Sequence, residues 1–174
     1  MYYRLIDSPV GELRLVSDGQ RLTEIAFADK LRSNEASAKA QMEPKNDLPI
    51  FQAAQSWLEH YFAGAKPDPS TILTDTSGTL FARTVWNELA QIPYGETRTY
   101  KEIAQNVATV LGRKTMSSQA VGGAIARNPL VILVPCHRVL GQNGQITGYS
   151  GGLSRKVQLL QLEGIATADL VWPK

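Results

Sequence analysis

The chain holds one cysteine, two histidines and no apolar run longer than Leu130 to Pro135, and each scarcity excludes something. With Cys136 alone, no internal disulfide can form, and a redox cycle that needs a resolving thiol has none. With His60 and His137 its only companions, a closed structural zinc site of four Cys or His ligands is impossible. The apolar run falls far short of the roughly 20 residues that a membrane-spanning helix needs. The start, Met1-Tyr2-Tyr3-Arg4, lacks the layout of a signal peptide, so the expectation is a soluble cytosolic protein. No internal repeat or low-complexity tract stands out. What remains is a chain of 174 residues, 43% of them hydrophobic, enough for one good core or two small ones sharing an interface.

Net charge is only +2, but it is unevenly spread. Residues 1–76 carry 8 Lys/Arg against 11 Asp/Glu, giving −3, and residues 77–174 carry 10 against 5, giving +5. A polyanion would therefore favour the C-terminal half, although the same balance fits an ordinary solvated surface.

The N-terminal stretch predicts a three-strand meander. Tyr2–Ile6, Glu12–Val16 and Leu22–Phe27 are separated by the turns at Asp7–Gly11 and Asp18-Gly19. Residues 29–47 are polar, and 48–63 show helical spacing through Leu48, Phe51, Ala54, Leu58 and Tyr61. Turn residues cluster at Asp75-Thr76-Ser77-Gly78, where the charge balance also changes sign, so two domains are expected, 1–76 and 77–174. Beyond that point the pattern turns helical. Thr79 is placed to cap a helix with Phe81, Val85, Trp86 and Leu89 on one face, stopped by Pro93. Thr99-Tyr100-Lys101-Glu102 matches a capping box, and a third helix begins near Ser117 or Ser118 and halts at Asn128-Pro129. Then follow a short buried strand over Val131–Val134, an Asn143-Gly144 turn between short strands, and a last helix opened by Ser154 and stopped by Gly164.

Gly122 and Gly123 sit inside the third helix, where each costs about 1 kcal/mol relative to Ala. Together with Ala120, Ala124 and Ala126 they leave a face almost bare of side chains. Such a face suits close packing on a neighbouring helix, or, behind a preceding helix and turn, a helix-turn-helix contact with DNA.

Cys136 follows an apolar stretch and a proline and precedes His137. A thiol with an ordinary pKa near 8.5 reacts as the thiolate, so a neighbouring base has a clear task, and His137 is that base by type. Adjacent residues of a strand point opposite ways, so the two must meet through a turn or a bridging water. Glu163 is the carboxylate available to orient the imidazole, and Asn128 could hydrogen-bond the backbone around the cysteine. Residue types alone leave a thiol hydrolase open, and free cysteine is often an inert core residue.

Pro135-Cys136-His137-Arg138-Val139 resembles the active-site signature of the O6-alkylguanine-DNA alkyltransferases. The resemblance extends through Val121-Gly122-Gly123-Ala124, Asn128-Pro129, Tyr149-Ser150-Gly151-Gly152-Leu153 and Leu159-Leu160 to Glu163-Gly164. Phe81, Val85-Trp86, Ile92-Pro93-Tyr94-Gly95 and Thr99-Tyr100 also look like the family's helical domain, so residues 79–165 are well covered and 1–76 only in general character.

This likeness implies an α+β chain, with a ribonuclease-H-like α/β domain ahead of a helical, winged-helix-like DNA-binding domain. It implies stoichiometric transfer of the alkyl group of O6-alkylguanine, and of O4-alkylthymine if the pocket admits it, onto Cys136. His137 then resembles the base acting through a water, Glu163 its orienting partner, Asn128 the residue steadying the loop, and Tyr100 the donor to the leaving oxygen. Val139, Tyr149, Ser150 and Gly151 look like pocket walls around an extruded base. Gln119, Gly122, Gly123, Ala124 and Arg127 would meet the minor groove of duplex DNA, the protein acting as a monomer without cofactor or metal. Two departures stand out. Gln119 occupies the place where the family often has an arginine, leaving Arg127, Arg113 or Lys114 for phosphates, and the stretch Val107–Gly112 looks longer than usual. A relative that binds alkylated DNA without repairing it is the alternative, which the presence of Cys136 opposes.

Overall fold

The computed structural model describes residues 1–31 and 41–174, so part of the polar stretch expected over 29–47 lies outside the described residues. The chain divides into two compact units, Met1–Thr76 and Ser77–Lys174. Among the described residues no helix is long and apolar enough to cross a membrane.

In the first unit, β1 (Tyr2–Ile6), β2 (Leu13–Ser17) and β3 (Leu22–Phe27) form the expected antiparallel meander, with Arg4 opposite Leu15 and Leu15 opposite Ile25. A short β4 (Glu43–Pro44) joins the free edge of β1 in parallel, giving the order β3-β2-β1-β4. Helix α1 (Pro49–Phe62) starts on a proline, whose missing N–H costs nothing in a first turn. It packs on β2 and β3 through Phe51, Ala54, Leu58 and Tyr61, spaced at three and four residues. Gly64, at φ +78°, closes it, and the Ala65 N–H reaches back to the His60 carbonyl. Alternation in β2 would put Arg14 in water, yet every residue of the strand is buried, because Arg14 finds Glu24 diagonally across on β3, Nε to Oε1 at 2.9 Å.

The second unit is built on three helices, α2 (Leu80–Ala90), α3 (Tyr100–Val110) and α4 (Ser118–Ile125), packed pairwise around Val85, Leu89, Ile103, Val107, Val121 and Ala124. Their starts are fixed by side chains: Thr79 caps α2, Thr99 and Glu102 form the reciprocal capping box of α3, and Ser117 caps α4. Each such cap stabilises its helix by about 1 kcal/mol. The Trp86 indole donates to the Ala124 carbonyl at 3.0 Å, locking α2 to α4. The stretch Val107–Gly112 is the last turn of α3 with its cap, Gly112 at φ +65° and the Arg113 N–H on the Ala108 carbonyl. A two-residue parallel ladder, β5 (Arg98–Thr99) with β6 (Val139–Leu140), ties the start of α3 to the chain after the cysteine. Helix α5 (Leu153–Leu162) ends the fold.

Three local expectations fail, each for a visible reason. Val131–Val134 is a tight turn rather than a strand: the Val134 N–H bonds the Leu130 carbonyl at 2.8 Å and Ile132 takes φ +72°. Positive φ is costly for a β-branched residue, and here Asn128 imposes it from outside. Asn143 and Gly144 make the expected turn, both at positive φ with the Gly141 N–H on the Gln145 carbonyl at 2.7 Å, but the segments on either side pair elsewhere, β6 with β5 and Gln145 with Val171. Helix α5 is opened by Gly152 at φ +91°, not by Ser154, which lies inside it.

Candidate active site

Asn128 builds the turn that delivers the cysteine. Its Oδ1 accepts the Leu130 N–H at 3.0 Å, and its Nδ2 donates to the Val134 carbonyl at 2.8 Å, closing residues 130–134 into a loop. The chain then enters a single 3₁₀ turn, Cys136–Arg138. That turn is what adjacency alone lacked, because it brings neighbouring side chains out of the opposed directions a strand would impose. Cys136 is 3% exposed and packs with the helical core, beside the partly buried Tyr100 and Tyr149.

Burial pushes the Cys136 thiol upward, since a buried sulfur resists negative charge. A hydrogen bond from Asn128, the charge of Lys156 and the backbone N–H groups of Cys136 and His137 pull it back. The sulfur therefore rests as a thiol with its charged form partly provided for, and a base is needed to take the proton.

His137 is fully buried, and its Nε2 lies 2.7 Å from Glu163 Oε1. A carboxylate accepts only, so Nε2 carries the proton and Nδ1 is left as the basic nitrogen. Burial lowers the pKa of the imidazole, the Glu163 bond opposes that, and the charges of Arg138 and Lys156 add to the lowering. The ring is neutral near pH 7, as a general base must be.

Glu163 serves more than one partner. Arg138 donates from Nε to Oε2 at 2.8 Å and from Nη2 to Oε1 at 2.9 Å, while its Nη1 reaches the Ile92 carbonyl. The Gly95 N–H adds a longer bond to Oε2 at 3.3 Å. Its side chain is fully buried, and a bidentate guanidinium supplies the counter-charge a buried carboxylate needs. Arg138 stands inside the motif already singled out, yet its role as counter-charge to Glu163 was not legible there.

Tyr100, at the start of α3, donates to the Thr147 carbonyl at 3.1 Å and is raised above the ordinary phenol range by burial, so it remains a donor. The same carbonyl accepts Lys156 Nζ at 2.9 Å, with Gly148 O a longer partner at 3.4 Å. Lys156 is wholly buried on α5. Sequence reading missed it, though a signal existed: Lys156, Leu159, Leu160 and Glu163 fall at i, i+3, i+4 and i+7, so a lysine occupies the apolar stripe.

The structure thus brings Asn128, Cys136, His137 and Glu163 into the buried interior, with the partly buried Tyr100 packed against the core that holds Cys136. Of the expected pocket walls, Tyr149 is half-buried, Ser150 exposed and Gly151 buried, all on the segment that Lys156 anchors. Val139 is buried in the core, so only its backbone could face a ligand. Of the expected DNA contacts, Gln119 and Arg127 are exposed and Gly122 and Gly123 half-exposed, with Arg113 and Lys114 exposed nearby. Ala124 requires correction: it is fully buried and its carbonyl is taken by Trp86, so it belongs to the core side of α4.

Residues 80–165 match the model of the 6-O-methylguanine DNA methyltransferase DNA binding domain, and residues 1–75 match that family's ribonuclease-like domain. A methylated-DNA–protein-cysteine methyltransferase of Methanosarcina acetivorans is 43% identical over 164 residues, spanning 94% of this chain and 99% of the relative. The enzyme of that name from Mycobacterium leprae is 44% identical over 163 residues, with 94% and 92% covered. The crystal structure of Mycobacterium tuberculosis OGT in complex with DNA superposes with a TM-score of 0.80 at 40% identity, covering 97% of each chain. With both halves matched in order and the likeness spanning nearly its whole length, the α+β chain belongs to the 6-O-methylguanine DNA methyltransferase family.

Proposed function

We propose that this protein repairs DNA by moving the alkyl group of an O6-alkylguanine onto Cys136, once per molecule. The observation that carries it is the hydrogen bond between His137 Nε2 and Glu163, which leaves Nδ1 basic one residue from the only thiol in the chain. In the reaction His137 takes the thiol proton, directly or through a water. The sulfur then forms a bond to the alkyl carbon as that carbon's bond to O6 breaks. The departing guanine takes up a proton at the O6 edge, with Tyr100 as donor, and the thiol's proton replaces it overall. Methyl is exchanged for hydrogen on sulfur, and the thioether has no route back.

Residues 77–174 hold both the chemistry and the DNA contact in this reading. Duplex DNA is met along its minor groove by a monomer, with the damaged base turned out of the stack toward Tyr149, Ser150, Gly151 and the backbone of Val139. Gln119, Gly122 and Gly123 face the groove, and Arg127 with Arg113 or Lys114 meets phosphates. The protein works in the cytosol and draws on no cofactor. Support for DNA as the partner comes from the relatives' names and from the DNA-bound Mycobacterium tuberculosis structure.

Incubation with duplex DNA holding one O6-methylguanine should add one methyl per protein, seen by intact mass, and Cys136→Ala should abolish it. Tight binding of the damaged duplex with no mass gain at equimolar protein would instead describe a damage sensor and overturn the transfer reading.

A further inference from the structure

Glu163 holds the tautomer of His137 from an unfavourable place, the C-terminal end of α5. The last four carbonyls of a helix have no partners within it, and helix ends fray. In α5 the Leu159 carbonyl is met by the Glu163 N–H at 3.1 Å, Leu160 by the Ile165 N–H at 3.0 Å and Gln161 by the Gly164 N–H at 3.0 Å. The Leu162 carbonyl, next to Glu163, is met from outside the helix, by the Tyr94 hydroxyl at 3.2 Å. Burial and the charge of Glu163 push the Tyr94 phenol up, so it stays a donor. Tyr94 belongs to the turn Ile92–Gly95 beyond α2, and that whole turn leans on the same group. The Ile92 carbonyl accepts Arg138 Nη1 at 2.6 Å, the Gly95 N–H donates to Glu163 Oε2 at 3.3 Å, and the Tyr94 ring centroid lies 5.7 Å from the guanidinium carbon of Arg138. Gly95 takes φ +82°, and a Cβ there would stand 3.2 Å from the Glu163 carbonyl oxygen, so the turn lies tight against the helix end. Side-chain bonds to His137 and Arg138 hold the carboxylate only as firmly as the backbone beneath it is held.

We propose that Tyr94 is a positioning residue of the transfer reaction: by capping the Leu162 carbonyl and backing the Arg138 guanidinium, it fixes the end of α5 so that Glu163 Oε1 stays on His137 Nε2. This rests on the alkyltransfer reading and extends it. A proton kept on Nε2 leaves Nδ1 free to take the thiol's proton. If the carboxylate drifts away, the neutral ring exchanges tautomers, and with the proton on Nδ1 it has no basic nitrogen on that side. Tyr94 acts through Leu162 and Arg138, which carry its hold to the base.

The test compares the wild type with Tyr94→Phe and Thr79→Ala in the full chain. Tyr94→Phe keeps a ring beside the guanidinium and deletes only the hydroxyl, while Thr79→Ala removes one capping bond from α2, away from α5. His60 is the only other histidine, so nitrogen-15 imidazole spectra, assigned with His137→Gln, report the base directly. The wild type should show His137 as the Nε2–H tautomer with a slowly exchanging, low-field proton. In Tyr94→Phe that proton should exchange with water roughly fivefold faster, and methyl transfer from O6-methylguanine duplex should slow roughly tenfold. Thr79→Ala should lower the urea midpoint by a similar amount and leave the imidazole signals in place. Were Tyr94→Phe to lose stability while its imidazole spectrum stayed that of the wild type, whatever its rate, Tyr94 would be a structural residue and the proposal would fall. If Tyr94→Phe does not fold, amide exchange in the wild type decides. The Glu163 and Gly164 amides should exchange within about tenfold of Leu159 and Leu160 inside the helix, and well slower than Ala63 and Gly64 at the end of α1, which backbone bonds close. Fraying at the end of α5 as fast as at the end of α1 would sink the idea. Should the wild type transfer no alkyl group, the functional reading fails, while the spectra and exchange rates still decide whether Tyr94 holds Glu163 on His137.

Discussion

The units Met1–Thr76 and Ser77–Lys174 each bury an arginine against a glutamate, Arg14 with Glu24 in one and Arg138 with Glu163 in the other. In the first, water still reaches the carboxylate, whose side chain is 26% exposed, and the pair ties two neighbouring strands. In the second, the Glu163 side chain is fully buried, and a histidine that must be held in one tautomer leans on the same two oxygens. Both pairs satisfy the rule that a buried charge needs a partner. The difference lies in what else uses the carboxylate. A pair that only joins elements is structural, whereas one that also fixes the tautomer of a buried imidazole can serve the chemistry proposed for Cys136.

The sharpest way to break that comparison is to remove the charge from each glutamate. Glu163→Gln leaves Arg138 buried without a counter-charge and should cost about 3–5 kcal/mol of folding stability. Glu24→Gln should cost roughly 1–2 kcal/mol, because solvent at the Glu24 site screens what remains. Urea denaturation with both midpoints and slopes measures this, and equal losses would remove the distinction. In whatever fraction of Glu163→Gln stays folded, transfer should fall roughly a hundredfold, since the amide cannot support the imidazolium.

The parts of this molecule that local chemistry determines were legible in the residues. The meander shows in its alternation and turns, and α2, α3 and α4 in Thr79, the Thr99–Glu102 box and Ser117, because a cap and its helix lie within four residues. What stayed hidden is set by distant partners. Val131–Val134 has the composition of a strand, but Asn128 spends both ends of its amide on folding it into a turn. Ala124 shares a small-residue stretch with Gly122 and Gly123, and only the Trp86 indole, reaching from α2, shows that it faces inward. Arg138 and Lys156 are unremarkable as letters, and their meaning comes from Glu163 and from the Thr147 carbonyl across the fold. Cys136 and His137 stood out in the sequence, which left a turn and a bridging water both open as the link between them; the 3₁₀ turn at Cys136–Arg138 is the first of these.

A second, smaller effect concerns the buried histidine. Burial holds His137 neutral in the folded protein, below its ordinary value of 6.5. The unfolded chain takes up a proton as the pH falls through that value and the folded chain does not, so acid favours unfolding. Stability should be unaffected by this group above about pH 7 and should decline below about pH 6.5, by up to about 2 kcal/mol at pH 5. That window lies above the one in which Asp18 and Asp68, held low by backbone donors, lose their contribution. Urea titrations at stepped pH should show the decline in the wild type and lose it in His137→Gln. Retention in His137→Gln would assign the acid sensitivity elsewhere.

The smallest effect concerns glycines whose reason lies outside the chain. A Cβ at Gly78 would meet the Trp86 ring at 2.9 Å, so packing explains that residue, and Gly78→Ala should destabilise the fold. At Gly122 the nearest atom to a new Cβ is the Tyr100 ring at 3.8 Å, and at Gly123 it is the end of Arg127 at 3.6 Å, both ordinary contacts. Neither glycine takes positive φ. Nothing among the described residues therefore requires a bare backbone there, and Gly→Ala in α4 should stabilise the free protein by roughly 0.5–1 kcal/mol. If the bare face exists for close approach to a duplex, the same change should weaken duplex binding by about 1 kcal/mol, roughly fivefold in Kd. Transfer from a free O6-alkylguanine base should meanwhile keep its rate, because the base reaches Cys136 without the groove. A Gly122→Ala protein that is more stable and binds duplex as well as the wild type would move the DNA contact off this face of α4.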